Sequence, residues 1–442
     1  MVSSDSTSKR AATLAVIVAA LGYFVDIYDL ILFGMVRVTS LKGIGVCDNL
    51  SELACKEALE NDGLLLLNMQ MGGMLLGGII WGVIGDKKGR LSVLFGSITL
   101  YSLANIANGL VGDIDAMSNV DTYAVCRLIA GIGLAGELGA GITLVSELMG
   151  RHERGVGTTI VAALGVSGGI VAGIVGGAFG HVVDWTTAYY IGGGLGLALL
   201  ALRIGVVESG MFSATLAKAK LARGNFFALF TKKKRLVRYL GIILVGVPVW
   251  YVIGIMFALS PELGAELGLS PPPNAARSLL FVYGGCSIGG VLAGVLSQKL
   301  RSRKKSLGIF LVACTVMIGV YFTVGGASQD GFYVISLFGG IATGYWAVFV
   351  STAAELFGTN LRATATTTVP NFVRGSLVPV SLAYAALKDS VGKIESALIV
   401  GVGCMVLAFI GLAMIHETFG VDLDFHEDDD DSPAELPKAK AV

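Results

Sequence analysis

The sequence predicts an all-α membrane protein with twelve transmembrane helices in two six-helix halves and with the N- and C-termini in the cytoplasm. Three observations lead to this prediction: the composition, the apolar runs and the distribution of basic residues. Of the 442 residues, 54% are hydrophobic and only 14% are charged, and the mean hydropathy is +0.76. A soluble domain carries about 25% charged residues. The composition therefore excludes a soluble enzyme, a disordered protein and a disulfide scaffold.

The apolar runs define the predicted helices. A helix that crosses the hydrocarbon core needs about 20 mostly apolar residues. Breaks that contain charged residues, Pro or Asn separate twelve such runs, and the first is too long for a signal-peptide core, so we expect it to be retained. The predicted spans are 11–36, 62–84, 91–112, 123–149, 156–181, 185–206, 239–260, 276–297, 307–326, 332–357, 368–387 and 393–415.

Basic residues indicate the orientation. Cytoplasmic loops of membrane proteins carry an excess of Lys and Arg. With the N-terminus in the cytoplasm, 24 of the 32 basic residues fall on the cytoplasmic side and six fall outside. This asymmetry supports cytoplasmic termini and an even number of spans, and we expect a multi-pass protein of the inner or plasma membrane.

A basic segment divides the chain. Residues 209–238 lie between the sixth and seventh spans and are predicted to form a cytoplasmic linker between an N-terminal half, 1–208, and a C-terminal half, 239–416. Residues 417–442 contain an acidic run and are predicted to be a disordered cytoplasmic tail. The chain has as many acidic as basic residues, 32 of each, which removes the case for nucleic-acid binding by bulk charge.

The two halves repeat each other. Gly77-Gly78 recur as Gly289-Gly290 at an offset of 212, and the fourth and tenth spans match at an offset of 208. A duplicated bundle has an axis between its halves, and a substrate site there can be exposed to either side as the halves rock. The repeat therefore indicates a carrier. The second match pairs Glu147-Leu148, Gly150, Arg154 and Thr158-Thr159 with Glu355-Leu356, Gly358, Arg362 and Thr366-Thr367.

Ionisable residues inside the predicted spans are candidate functional sites, because each costs about 2.5–3.5 kcal/mol at the bilayer centre. Asp26 and Asp29 lie three residues apart and share one helical face. A carboxylate stays ionised beside a guanidinium and takes up a proton when the pair opens in a desolvated site. The predicted proton-coupling residues are Asp26, Asp29, Arg127 and Glu137.

Arg374 predicts an anionic substrate. A fixed guanidinium with two-pronged geometry suits a carboxylate or a phosphate, and Arg374 lies near Asn371 on the eleventh span. The alternative is that it pairs with an acid of its own half, such as Glu355. Glu137 faces the cavity as a second proton group, binds a cationic part of the substrate, or bonds to a neighbouring helix.

Several aromatic residues are candidate substrate contacts. Most aromatic side chains in such helices pack or form interface belts. The pair Tyr345-Trp346 is preferred because the offset of 208 makes Tyr345 equivalent to Glu137. The others are Trp250, Tyr251 and Tyr283.

Charged residues at the cytoplasmic ends of the spans predict a latch that holds the outward-open state. Oppositely charged side chains at these positions can pair across a loop, and they should affect turnover more than substrate choice. The predicted cytoplasmic gate comprises Gly85, Asp86, Gly89, Arg90, Glu147, Arg154, Glu355 and Arg362.

Two of these motifs resemble signatures of the major facilitator superfamily. The segment Gly85-Asp86-Lys87-Lys88-Gly89-Arg90 resembles its cytoplasmic loop signature, and Arg127 with Gly131, Gly133 and Gly136 resembles its second signature. The resemblance covers nearly the whole chain and implies alternating access.

Within the superfamily, the chain is most similar to metabolite:proton symporters, which carry organic acids and osmolytes. The segments that carry this similarity are Asp26-Ile27-Tyr28-Asp29 with Phe33-Gly34, and Ala135-Gly136-Glu137-Leu138-Gly139. Asp26, Ile27 and Leu138 depart from the residues typical of that group, and Tyr28-Asp29 is also similar to a sugar-porter motif. The resemblance implies an acid–Arg pair between the first and fourth helices, with Asp29 as the proton carrier and Arg127 as its partner. The alternative is a fixed structural ion pair in a uniporter.

The sequence thus predicts a secondary active transporter that moves a small organic anion or zwitterionic metabolite together with protons, by symport. The alternatives are a proton-coupled exporter of a drug, siderophore or organic acid, a sugar-type symporter or uniporter, and a non-transporting receptor. We expect no enzymatic activity, no cofactor, no metal and no nucleic-acid partner, and we expect a monomer in the lipid bilayer. A disulfide between Cys47 and Cys55, in one predicted external loop, is left open.

Overall fold

The computed structural model describes residues 2–88, 90–114, 117–139, 161, 164–180, 183–208 and 226–421. Helices dominate these residues. A 3₁₀ turn at Val111–Asp113 follows α3, and a π-helical segment at Val252–Phe257 continues α8. The helices are α1 Val2–Gly43, α2 Glu52–Lys88, α3 Arg90–Gly109, α4 Asn119–Leu134, α5 Gly168–Val175, α6 Trp185–Glu208, α7 Ala228–Thr231, α8 Lys233–Tyr251, α9 Ser260–Glu266, α10 Ala275–Lys299, α11 Arg303–Val324, α12 Gln329–Thr343, α13 Trp346–Glu355, α14 Thr359–Gly375, α15 Leu377–Val391 and α16 Lys393–Met414.

Eight stretches of helix in the described part of the chain are long and apolar enough to cross a membrane. They coincide with predicted spans, and two of them, Glu52–Gly85 and Ala275–Lys299, run beyond the predicted limits at both ends. The other predicted spans, 91–112, 123–149, 156–181 and 368–387, coincide with helices that are shorter, interrupted or more polar, or extend outside the described residues. The predicted all-helical membrane fold is confirmed at this level, and the number twelve stays a prediction.

Two boundaries differ from those expected. The predicted linker ends at 238, whereas α8 already begins at Lys233 because the basic residues there continue the helix. Glu417, at the start of the predicted tail, contacts the first turn of α11. At the opposite end of the bundle, Cys47 and Cys55 form a disulfide, and we call that end the disulfide end.

The internal repeat is visible in how helices pack. We call α1–α6 the N-terminal half and α8–α16 the C-terminal half. In the N-terminal half, Gly77 of α2 lies against the Ile132 carbonyl of α4, and a Cβ atom there would collide with it. In the C-terminal half, Gly289 of α10 lies against the Ile341 carbonyl of α12 in the same way. Small residues let membrane helices approach closely, so equivalent glycines give the two halves the same helix contact.

The packing also corrects the offset used for the fourth and tenth spans. The two residues that contact the equivalent glycines, Ile132 and Ile341, are 209 positions apart. The last residues of α4 and α12, Leu134 and Thr343, are also 209 positions apart. Helix resumes at Glu137 in one half and begins at Trp346 in the other. Glu137 therefore corresponds to Trp346 here, and not to Tyr345 as an offset of 208 predicts.

A second pair of helix interruptions supports the same offset. Ser167 directly precedes α5, and Ser376 directly precedes α15. Each hydroxyl donates to the carbonyl three residues earlier, Leu164 and Val373 respectively, at 2.6 Å. These interruptions lie where the two halves meet, since α14 packs along α2 while α1 and α5 pack along α10.

Candidate transport site

A buried ion pair joins the two halves. Arg374, near the end of α14, donates from Nη2 to Asp26 Oδ2 of α1 at 3.3 Å. Both side chains are buried. The expected alternative, a pair with Glu355 in its own half, is not what the structure shows. The second carboxylate oxygen of Asp26 and the Nε of Arg374 have no hydrogen-bond partner among the described residues.

Two further cross-half hydrogen bonds frame this pair. Asn371, one turn before Arg374, donates to the Ala135 carbonyl at 2.7 Å, where α4 is interrupted. Its Oδ1 lies 3.5 Å from Arg374 Nη1. On the other side, Trp346 Nε1 donates to the Tyr23 hydroxyl at 3.1 Å. The helix interruptions therefore bring polar groups of both halves around one guanidinium.

A second buried ion pair lies inside the N-terminal half. Glu137 and Arg203 form a two-pronged contact, with Nη1 to Oε2 at 3.0 Å and a second bond between Nη2 and Oε1. Gly22 leaves the space for it, because a Cβ atom there would collide with both side chains. Arg203, near the cytoplasmic end of the sixth predicted span, is buried and was not among the predicted site residues. Both oxygens of Glu137 are occupied by this arginine.

Asp29 and Arg127 do not form an ion pair in this conformation, although both are fully described. Arg127 donates to Gln70 Oε1 and, at 3.5 Å, to the Tyr189 hydroxyl. Its guanidinium also lies 4.8 Å from the centre of the Phe33 ring. Neither oxygen of Asp29 has a well-formed hydrogen bond in the described chain, and its polar neighbour is the side chain of Asn105 on α3. The predicted proton-carrier role of Asp29 remains a prediction, and Gln70 and Tyr189 are neighbours that sequence reasoning missed.

Comparison with known proteins places this geometry in a family. The model of the Major Facilitator Superfamily matches residues 62–376, well over half of the chain. The chain belongs to the Major Facilitator Superfamily. It is a multi-pass membrane transporter and not an enzyme. The family match confirms the resemblance inferred from the loop and fourth-helix motifs.

Three relatives show how broad the similarity is. The chain is 28% identical over 307 residues to the 3-(3-hydroxy-phenyl)propionate transporter of Escherichia coli, covering 67% of this chain and 72% of the relative. It is 27% identical over 391 residues to a putative metabolite transport protein of Haemophilus influenzae, covering 85% and 89%. It is 24% identical over 380 residues to low affinity inorganic phosphate transporter 3 of Petunia hybrida, covering 74% of this chain and 66% of the relative.

Solved structures show the same fold. The proton:xylose symporter XylE bound to 6-bromo-6-deoxy-D-glucose matches with a TM-score of 0.69 at 17% identity, covering 94% of this chain and 98% of that chain. The partially occluded inward open conformation of XylE from Escherichia coli also gives 0.69, at 19% identity, covering 94% and 100%.

Two of the predicted aromatic substrate contacts are tyrosines whose hydroxyls donate to main-chain carbonyls within the C-terminal half. Tyr345 donates to the Val245 carbonyl at 2.8 Å, and Tyr251 donates to the Ala397 carbonyl at 2.7 Å. Both rings are buried between helices of one half. These bonds fit packing better than contact with a substrate between the halves.

The other aromatic candidates differ in surroundings. Tyr283 lies against Gly169 of α5, so its ring is at the contact between halves. Trp250 is buried, and its Nε1 has no partner in the described part of the chain. Trp346 reaches Tyr23 across the halves, as described above. Among these candidates, Trp346 and Tyr283 lie at the contact between the halves, and their role in substrate binding stays a prediction.

The predicted cytoplasmic gate is only partly described. Gly85, Asp86 and Arg90 lie at the junction of α2 and α3, but the side chains of the two charged residues lie outside the described part, as do Gly89, Glu147 and Arg154 entirely. Glu355 pairs with Arg303 of α11 at 3.0 and 3.2 Å, and Arg303 was not among the predicted gate residues. Arg362 Nε donates to the Ala354 carbonyl at 3.0 Å.

The C-terminal segment supplies a carboxylate at the same end. Glu417 accepts hydrogen bonds from the Ser302 hydroxyl and, at 2.8 Å, from the Arg303 amide at the start of α11. Burial acts to raise the pKa of the Glu417 carboxyl, but the hydrogen bonds from Ser302, Phe419, Arg303 and Thr418 outweigh it and hold that pKa below its ordinary value. The charge therefore caps the helix, whose N-terminal amides favour an anion.

Ion pairs at the disulfide end were missed by sequence reasoning. Arg37 of α1 pairs with Glu262 of α9 at 2.5 Å. Glu60 of α2 pairs with Lys388 at 3.2 Å and with Lys393 at 2.9 Å. We call these contacts the outer clamp, since each joins the N-terminal half to the C-terminal half. Arg37 and both lysines belong to the six basic residues that the sequence assigns to the external side, and the apolar run around Arg37 was the available signal.

Proposed function

We propose that this transporter is a proton-coupled symporter of a small organic anion. One observation carries the proposal: the buried pair of Asp26 and Arg374 links the two halves through a single hydrogen bond of 3.3 Å. A guanidinium carries five N–H donors. With one donor on Asp26 and one facing Asn371, Arg374 retains the capacity for a two-pronged contact with a substrate carboxylate.

The substrate would compete with Asp26 for the guanidinium. When an anion takes Arg374, the carboxylate of Asp26 loses the one hydrogen-bond partner that it has among the described residues, in a buried site. An unpaired buried charge is costly, and the carboxylate is neutralised by a proton. One anion and one proton then occupy the site together, and the release of either restores the pair. Asp29, one turn away on α1, is the proposed carrier that supplies this proton, with Arg127 as its partner in another conformation.

The surroundings favour an organic anion. Tyr23 and Trp346 lie beside the pair, and Trp346 stacks on Phe349 with ring centres 5.0 Å apart. Aromatic faces provide apolar contact for a carbon skeleton. One relative is named for the transport of an aromatic propionate and others for inorganic phosphate, and a guanidinium suits both kinds of anion. Export of an organic acid would use the same site in reverse.

The experiment is a substrate screen in proteoliposomes loaded with a pH-sensitive dye. Mono-, di- and tricarboxylates, phosphate, betaines, amino acids and sugars are added outside, and internal acidification is recorded. We expect an organic anion, and not a sugar, to move protons inward with it. Uptake of the active compound without any proton movement would contradict symport, and a sugar as the only active compound would contradict an anion site at Arg374.

A further inference from the structure

The face of α3 that packs into the bundle is polar along the second half of the helix, between residues 101 and 108. Tyr101, Ser102, Asn105 and Asn108 are all fully buried, at 0% exposure. Asn105 lies four residues after Tyr101, three after Ser102 and three before Asn108, so the four side chains share one broad face of the helix. A helix that packs inside a membrane bundle would ordinarily bury apolar residues here.

These side chains do not satisfy one another. The Tyr101 hydroxyl, the Ser102 hydroxyl, Asn105 Nδ2 and Asn108 Oδ1 have no hydrogen-bond partner among the described residues. A single long contact, 3.5 Å from Asn108 Nδ2 to Asn105 Oδ1, connects two of them. A buried polar group without a partner costs roughly 1–3 kcal/mol, so four along one face require compensation. Buried water supplies it in protein interiors.

The polar face leads to Asp29. The Asn105 side chain interacts with Asp29, although neither carboxylate oxygen has a well-formed hydrogen bond in the described part of the chain. The carboxylate lies against Gly192 of α6. Ser102 lies against Gly196, one turn further along α6. A Cβ atom at either glycine would collide with these groups, so the glycines keep the space open. The titratable groups that face Asp29 are Asp26 and Tyr28 on α1, Tyr101 on α3, Arg127 on α4 and Tyr189 on α6.

The face extends from the disulfide end to the middle of the bundle. Asn108 directly precedes the last residue of α3. Thr122, in the first turn of α4, has a buried hydroxyl that also finds no partner within the described ranges. At the inner end, Tyr101 interacts electrostatically with both Asp29 and Glu137. The disulfide end is the one that the sequence predicts to be external.

We propose that this face of α3 holds water and is the proton access route to Asp29, inside the N-terminal half and separate from the substrate path between the halves. The inference rests on the proton coupling proposed above. A proton passes along hydrogen-bonded water to a carboxylate oxygen of Asp29 and from there, one turn along α1, to Asp26 when substrate takes Arg374. The face thereby provides the proton with an entry that the substrate does not block.

The transport test uses Asn105→Leu, which keeps the approximate size and removes the polar atoms. We expect proton-driven uptake to fall about tenfold or more, with substrate counterflow at equal pH unchanged, because counterflow needs no net proton entry. Asn105→Ser should retain most of the driven uptake. Thr99→Val is the matched control on α3, since Thr99 bonds to its own helix at the Phe95 carbonyl. An equal loss of counterflow and driven uptake in Asn105→Leu would overturn the route.

The presence of water along the polar face of α3 is tested by thiol modification, which does not depend on proton-coupled transport. Asn105→Cys and Leu103→Cys are each treated with a water-soluble thiol reagent, with the unmodified protein as the background for its four free cysteines. Leu103 is 55% exposed on the outer surface of the bundle, where lipid is expected. We expect faster modification at position 105, and equal slow modification would overturn the proposal. If position 105 is hydrated but the wild type moves no proton with any substrate, proton symport fails and the route fails with it. Uptake driven by a sodium gradient at constant pH and lost in Asn105→Leu would assign the face to a metal cation instead.

Discussion

The two buried ion pairs of this transporter have the same chemistry and opposite geometry. Glu137 and Arg203 are in one half and make a two-pronged contact that occupies both carboxylate oxygens. Asp26 and Arg374 are in different halves and share one hydrogen bond, leaving Asp26 Oδ1 and Arg374 Nε without partners in the described chain. The first arrangement holds helices together, and the second has hydrogen-bonding capacity left for a ligand.

The difference shows which buried charges suit a transport cycle. A buried pair repays its desolvation only when the geometry is good and the remaining polar atoms are satisfied. A pair inside one half keeps its geometry as the halves rock, whereas a pair between halves must open when they separate. We therefore expect the Arg203 pair to determine stability and the Arg374 pair to determine transport, and the following predictions can break or sharpen that distinction.

The largest effect on transport is expected from Arg374→Ala. Without the guanidinium, the anion loses its charge-assisted hydrogen bonds and Asp26 loses its partner. Uptake should fall by about 100-fold or more, which corresponds to roughly 3 kcal/mol. Initial uptake rates and substrate-dependent melting measure the loss, and Arg374→Lys should recover only part because it lacks the planar fork. Unchanged substrate affinity in Arg374→Ala would remove the basis for an anion site.

The largest effect on stability is expected from Arg203→Ala. It leaves Glu137 buried and uncompensated, which costs about 3–5 kcal/mol. The double variant Glu137→Leu with Arg203→Leu removes both charges and should recover most of the stability, because a buried pair can often be replaced by apolar residues. Thermal unfolding in detergent measures stability, and counterflow measures function. If the stable double variant no longer binds substrate, the Glu137–Arg203 pair is part of the transport site and the distinction fails.

Asp26→Asn and Asp29→Asn separate binding from coupling. Asparagine at position 26 no longer competes as an anion for Arg374, so we expect substrate affinity to rise by about three- to tenfold. Both variants should lose uphill uptake driven by a pH gradient and retain counterflow, because alternating access without a gradient needs no net proton transfer. Uphill uptake that persists in Asp29→Asn would show that Asp29 is not the proton carrier.

A smaller effect is expected from Glu60→Gln in the outer clamp. The variant removes the charge that Lys388 and Lys393 share. The free energy of the state with a closed disulfide end should therefore rise by about 1–2 kcal/mol relative to the open state, and the open state should be populated more. Distances between spin labels at the ends of α2 and α15 measure the opening. Lys56→Gln is the control, because Lys56 pairs with Glu52 inside the same helix, α2. An unchanged distance distribution would show that the clamp does not bias the conformation.

The smallest effect is expected from Glu417→Gln. The folded-state pKa of Glu417 lies below its unfolded value, so its contribution is present above the unfolded pKa and is lost as pH falls through the folded pKa. At pH 7 the variant should melt no more than about 1–2 °C below the wild type, because the site is partly solvated. The difference in melting temperature between variant and wild type should vanish in acid. A difference that stays constant with pH would show that Glu417 acts through packing and not through its charge.

Much of the fold could be predicted from the sequence because its determinants are local. A run such as 276–297 is apolar enough to form a membrane helix, and α10 occupies Ala275–Lys299. Asp26, Glu137 and Arg374 stand out because a charge within an apolar run is expensive wherever its partner lies. The repeat was readable as well, but its register was wrong by one position at Tyr345, since a sequence offset cannot locate where a helix is interrupted.

The sequence by itself determined that this chain is a helical membrane transporter with a few buried charges, because hydropathy and transfer free energy are properties of each segment. The tertiary structure decided the partners. Arg374 meets Asp26 instead of Glu355, and Arg203 meets Glu137, because pairing depends on how each helix is rotated and where it is interrupted. Such contacts join residues far apart in the chain, and no local pattern specifies them.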